Sequence, residues 1–237
     1  MSTVTGHRRL DIRPPFRYSP STMRIILVHG FNASPEMNFH PWLARELRAK
    51  GYEVVAPTLP LKSGEELDLP VVIEEMRRQV GYLGPEDILV GHSLGALIAL
   101  QYMEATEMTE TPRAVIMVAA PFKVAKPELR RLFLVDLDAD VAIWKAKEFF
   151  VVHSKDDALV PFEHGQKLAA FLKAKLVETE TNGHFMDAEY PALLELVDSV
   201  ASTPFPYAPG MALANDYENK AWADRIAPSA GKPDWMT

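Results

Sequence analysis

Ser93, His184 and one of the adjacent carboxylates Asp156 and Asp157 are the residues whose types and spacing could do chemistry together. Ser93 lies in Gly91-His92-Ser93-Leu94-Gly95, a G-x-S-x-G pattern. With glycine and serine each near ~7% of residues, that pattern arises by chance in roughly one chain in twelve of this length. What gives it meaning is its place between a predicted strand and a predicted helix. A tight strand-to-helix turn exposes a serine hydroxyl at the sheet edge, and flanking glycines let neighbouring chain approach without clashing. The helix that follows aims its N-terminus at the same point, so the backbone N–H of Leu94 can donate to a developing oxyanion.

A serine hydroxyl is a poor nucleophile at neutral pH, so a base must take its proton and a carboxylate must orient that base. Seven histidines are available, at positions 7, 29, 40, 92, 153, 164 and 184. His184 is the best placed, in Asn182-Gly183-His184-Phe185, a loop following the last predicted strand and therefore at the same carboxyl edge as Ser93. His92 adjoins the nucleophile but should point elsewhere on the turn, and His164 falls in a helical stretch. For the acid, Ser154-Lys155-Asp156-Asp157 offers two adjacent carboxylates, only one of which can orient His184. His29-Gly30-Phe31, after the first predicted strand, offers the backbone N–H of Phe31 as a second oxyanion donor.

These residues need a scaffold that brings positions 29 to 184 to one edge. Short apolar or β-branched runs predict strands at 24–29, 52–56, 87–91, 114–119, 148–153 and 175–179. Residues at three- and four-residue steps predict helices near 40–50, 70–80, 94–103, 163–173 and 189–201. Strand and helix alternate, which implies right-handed βαβ units. The expected fold is therefore a three-layer α/β/α sandwich around a mainly parallel sheet of about six strands, with ligands beyond the carboxyl ends of the strands. Residues 121–147, between the fourth and fifth predicted strands, are too few for a large cap but enough for one or two helices.

Composition narrows the function. The formal charge of -7 argues against a nonspecific nucleic-acid binder, which needs clustered lysine and arginine. The absence of cysteine removes disulfides, thiolate metal sites and a cysteine nucleophile together. No apolar run approaches the ~18 residues of a membrane span, and the leader, residues 1–23, lacks a signal-like apolar stretch. A soluble cytoplasmic protein is expected, with a domain over 24–202. Residues 203–237 break the rhythm with prolines, yet hold Phe205, Tyr207, Tyr217, Trp222 and Trp235. Such a tail should dock, whether onto the body, onto a second subunit in a homodimer, or over the site mouth.

The order Ser93, Asp157, His184, the His29-Gly30 turn, Pro41-Trp42-Leu43, Gly51-Tyr52, the G-x-S-x-G turn and Gly183-His184-Phe185 together resemble a known family. The chain is similar, over about residues 24–200, to the small serine hydrolases grouped with retinoblastoma-binding protein nine, within the α/β-hydrolase superfamily. The resemblance implies a compact hydrolase fold with a small cap or none. It selects Asp157 over Asp156, because Asp157 to Pro161 follows the D-x-x-V-P spacing of the superfamily's acid loop. The turn after the first strand is HGF, in place of the HGGG form.

The implied chemistry is acyl transfer from a small-molecule acyl substrate, needing no metal or organic cofactor. Neighbours of these loops, Phe31, Asn32, His92, Phe122, Leu159, Val160 and Phe185, are the expected pocket wall, where apolar acyl groups would fit. An esterase leads, ahead of an aminopeptidase, thioesterase, lactonase or carbon–carbon bond hydrolase using the same residues. A noncatalytic binding protein on the same fold is the rival of a different class. A dehalogenase is disfavoured because it would want a carboxylate where Ser93 stands.

Overall fold

The computed structural model describes residues 23–64, 67–106, 111–124, 126–132 and 138–203. The most apolar runs of the sequence become its central strands. Ile88–His92 and Ala114–Val118 are buried at every position, which suits strands covered on both faces. In chain order the elements are β1 (Arg24–Val28), α1 (His40–Ala49), β2 (Glu53–Val55), α2 (Leu69–Val80), β3 (Ile88–His92), α3 (Leu94–Ala105) and β4 (Ala114–Val118). A 3-10 helix (Pro127–Leu132), α4 (Ala139–Ala142), β5 (Glu148–Ser154), α5 (Phe162–Leu172), β6 (Lys175–Thr179) and α6 (Pro191–Ser202) complete it.

The six strands form one sheet in the order β2-β1-β3-β4-β5-β6, with every neighbouring pair parallel. Helices cover both faces. Leu43 and Leu47 of α1 and Leu193 and Val197 of α6 pack on one side. Val72 and Met76 of α2, the apolar length of α3, and Leu168 and Leu172 of α5 pack on the other. This is the three-layer sandwich expected of the α/β-hydrolase resemblance. The interior helix α3 is buried from Leu94 to Met103, which explains why its sequence is apolar all round instead of striped.

Most boundaries shift by one or two residues from the expected ones, two of them for a visible reason. Strand β3 runs on to His92, because His92 is still in register with Val118 of β4. Helix α6 starts at Pro191 instead of residue 189, where a proline lacking an N–H fits the first helical turn. Residues 121–147 carry the 3-10 helix and α4, so the cap is small.

The strand order reverses direction at β1, which has β2 on one side and β3 on the other. Chain leaving β1 crosses to one side and chain leaving β3 to the other, so a crevice opens between their carboxyl ends. At the opposite end of the same strands, Arg24 grips Asp87 with two hydrogen bonds, Nε to Oδ1 at 3.0 Å and Nη2 to Oδ2 at 2.5 Å. Asp87 is buried and also accepts from the Gly84 N–H at 2.8 Å, so the pair locks β1 to the entry of β3. Among the described residues no helix is long and apolar enough to cross a membrane. The leader before Met23 and the tail beyond Thr203, with the expected tail docking and dimer contact, lie outside the described residues.

Candidate active site

Ser93 sits at the crevice on a turn that few residues tolerate, with φ 52° and ψ -123°. Non-glycine residues at positive φ are strained, and such strain persists where surrounding structure enforces it. Two glycines allow that enforcement. A Cβ at Gly91 would overlap Ala96 of α3, lying 2.6 Å from its nitrogen, and a Cβ at Gly95 would overlap the carbonyl oxygens of Val28 and His29. The Ser93 N–H is held by the Val118 carbonyl at 2.8 Å. Leu94 begins α3, so its N–H belongs to the first turn, which lacks intrahelical acceptors. Gly30 abuts the same turn: a Cβ there would lie 3.1 Å from Ser93 Cβ and 3.7 Å from Leu94 N. Phe31 therefore follows a glycine packed directly against the elbow.

His184 bridges the serine and an acid. Its Nε2 lies 3.0 Å from Ser93 Oγ, and its Nδ1 lies 2.8 Å from Asp157 Oδ2. The other carboxylate oxygen of Asp157 accepts the N–H groups of Leu159 and Val160, both at 2.9 Å. The Asp157 side chain is fully buried, and burial pushes its pKa up. Hydrogen bonding from His153, His184 and the Val160 N–H outweighs that and holds the carboxyl well below the usual range. A buried acid that is ionised near pH 7 fixes Nδ1 of His184 as the donor, which leaves Nε2 free to accept the serine proton.

Asp156 holds the backbone while Asp157 holds the ring. Its Oδ1 accepts from the Ser154 hydroxyl at 2.5 Å and from the Gly183 N–H at 2.8 Å. The Ser154 oxygen in turn accepts the Asn182 N–H at 2.9 Å. The end of β5 is thus stitched to the histidine loop through two residues. These same bonds, the Ser154 hydroxyl first and the Gly183 N–H second, lower the Asp156 pKa.

Three further histidines surround the site. His92 Nε2 lies 2.9 Å from the carbonyl oxygen of His184, so the ring props the loop that carries His184. Burial lowers its pKa to about 3, and burial likewise lowers that of His40 to about 4. Both rings are neutral near pH 7 and form a row of tilted rings with His184, in which His40 and His92 centroids are 5.9 Å apart and His92 and His184 5.2 Å. On the acid side, His153 Nε2 donates to the Val160 carbonyl at 2.8 Å and lies 3.5 Å from Asp157 Oδ2. A Cβ at Gly165 of α5 would lie 2.6 Å from its Nδ1, so a glycine lets α5 close over that ring.

A cleft of about 540 Å³ opens in front of Ser93 and His184. Phe31, Asn32, His92, Leu159 and Val160 line it. Two expected wall residues lie elsewhere. Phe185 is 2% exposed and turns into the α1/α6 core, its ring 4.9 Å from Tyr190, because φ 55° reverses the chain after His184. Phe122 packs edge-on against Phe171, at 5.7 Å, and joins the opposite core. Sequence reading set His164 aside, yet it lines the cleft, its Nδ1 accepting the Phe122 N–H at 3.0 Å. Met37, Lys123, Lys126 and Met186 also line it without any motif to mark them. Among the described residues no group of three or more His, Cys, Asp or Glu is arranged to hold a metal ion.

A family profile described as serine hydrolase matches residues 25–198. The Bacillus subtilis (strain 168) protein YdeN is 29% identical over 187 residues, spanning 78% of this chain and 97% of its own. The Rattus norvegicus serine hydrolase RBBP9 is 25% identical over 188 residues, spanning 77% of this chain and 96% of its own. The crystal structure of the B. subtilis ydeN gene product is similar with a TM-score of 0.69 at 27% identity, over 77% of this chain and 100% of that one.

Proposed function

The chain belongs to the serine hydrolase family of the α/β-hydrolase superfamily, and from that premise we propose that it cleaves a small carboxylic ester or related acyl bond through an acyl-enzyme on Ser93. The observation that carries this reading is the unbroken line from Ser93 Oγ through the His184 ring to Asp157, at 3.0 and 2.8 Å. Three residues from separate loops converge on one proton path, and the site end of that path opens into a cleft of a size suited to a small molecule.

His184 Nε2 removes the Ser93 proton as Oγ attacks the substrate carbonyl carbon. Charge develops on the carbonyl oxygen, where the N–H groups of Leu94 and Phe31 donate to it. The protonated His184 then gives its proton to the leaving group as the tetrahedral intermediate collapses. Water enters, loses a proton to the same Nε2, and releases the acyl group as a carboxylic acid, restoring Ser93. Throughout, ionised Asp157 stabilises the imidazolium without itself taking the proton.

Thioesters, amides and lactones can pass through the same steps, since the groups that differ are those touching the leaving group. A fluorophosphonate probe tests the reading directly. Labelling is expected at Ser93 and is expected to vanish in Ser93→Ala, whose thermal unfolding should match that of the parent. Well-folded parent protein that neither labels nor turns over activated esters would favour a binding protein on the hydrolase fold.

A further inference from the structure

We infer that the acyl compound this cleft accepts carries an anionic group, with a carboxylate as the simplest form, held at the mouth by Lys126 and Lys123. The inference rests on the hydrolase reading above and specifies its substrate class. The chain as a whole is acidic, with 32 Asp and Glu against 25 Lys and Arg. The cleft reverses that sign: among the described residues its lining includes two lysines and neither an aspartate nor a glutamate.

These two lysines also differ from the ion-paired lysines of the surface, a trait that Lys62, Lys167 and Lys173 share among the described residues, but outside the cleft. Lys50, Lys145, Lys155 and Lys175 each face a carboxylate within 3.4 Å. Among the described residues, Lys123 and Lys126 have no such carboxylate partner. Instead, Lys126 Nζ stands 5.2 Å from the centroid of the Phe31 ring. A cation over an aromatic face is held loosely enough to be shared with an incoming anion. Phe31 is the residue whose N–H is assigned to the oxyanion hole, so this ammonium rests on a side chain of the same loop.

The neighbouring wall, Val124 and Leu129, is apolar. Low-dielectric walls focus the field of like charges in a cleft and raise the local concentration of an oppositely charged substrate. A neutral ester would leave both ammonium groups facing water. A carboxylate placed remotely from the scissile bond would use them to fix the carbonyl against Ser93, where remote binding energy aids orientation.

The test compares kcat/KM for matched anionic and neutral esters. One pair carries the charge on the acyl side, mono-4-nitrophenyl adipate against 4-nitrophenyl hexanoate. The other carries it on the leaving group, 4-acetoxybenzoate against 4-acetoxybenzamide. In at least one pair the anionic member should be favoured by about fivefold or more at low salt, the scale of one to two exposed ion pairs. That ratio should shrink in about 0.5 M NaCl, fall towards one in the Lys123→Ala/Lys126→Ala variant, and invert in Lys126→Glu. A ratio at or below one in both pairs, or one that survives loss of both lysines, overturns the inference. Fluorophosphonate labelling of the same preparations separates the failures. Labelled enzyme without charge preference removes this inference alone, whereas absent labelling and turnover remove the hydrolase reading beneath it.

Discussion

Replacing Asp157 by asparagine should disable the site by reversing a tautomer while leaving its geometry nearly intact. Oδ1 accepts two backbone N–H groups, from Leu159 and Val160, at 2.9 Å each. An asparagine must keep its oxygen there, because turning its amide nitrogen toward those donors would set donor against donor. The amide NH2 then faces His184 Nδ1, where Oδ2 lies 2.8 Å away in the parent. Nδ1 becomes the acceptor and the ring proton moves to Nε2, pointing at Ser93 Oγ, so the base is lost. A loss of about 10³- to 10⁴-fold in kcat is expected, or about 4–5.5 kcal/mol of barrier. Asp156→Asn keeps an oxygen for both the Ser154 hydroxyl and the Gly183 N–H, so its loss should stay near tenfold or less. The assay is steady-state hydrolysis of an activated ester, with thermal unfolding to exclude collapse of the fold. A larger loss at 156 than at 157, or a 157 variant within tenfold of the parent, would refute this assignment of the acid.

Two further outcomes follow from packing and titration. Gly95→Ala drives a methyl into the Val28 and His29 carbonyl oxygens, so unfolding in urea should move by about 3 kcal/mol, with activity lost even in the folded fraction. His40 and His92 have folded pKa values of about 4 and about 3, below the ordinary 6.5. As pH falls, the unfolded chain binds protons first, so this stability is complete above about 6.5 and declines toward the folded values. Between pH 6.5 and 5 each ring should contribute about 2 kcal/mol of that decline. His40→Leu should remove about half of it, and urea midpoints at pH 7 and pH 5 with an unaltered difference would count against the neutral-histidine account.

Much of the scaffold was legible because parallel strands covered on both faces leave continuous apolar runs, as in β3 and β4. Ser93, Asp157 and His184 were legible because a glycine-flanked turn and two strand-end loops leave local marks. Residues that act from the side left none. His153 reaches the acid loop only because Gly165, twelve residues on, lets α5 lie over its ring. The cleft-lining role of His164 depends on how α5 faces the start of the cap, which no helical period encodes. Phe185 looked like a wall residue by adjacency to His184, but a single positive φ sends its side chain into the core. Adjacency in sequence predicts shared loops, not shared direction.

All five strand pairings are parallel, so none can close through a tight turn. Each must wait for an intervening helix or excursion to fold back, and the loop-closure entropy is met before the contact is gained. Ser93 and His184 stand 91 residues apart, just past β3 and beyond β6, with two strands between them in the sheet and three crossovers to dock. During refolding, then, secondary structure should recover before turnover does, and regained turnover marks the moment the far edge of the sheet is in place.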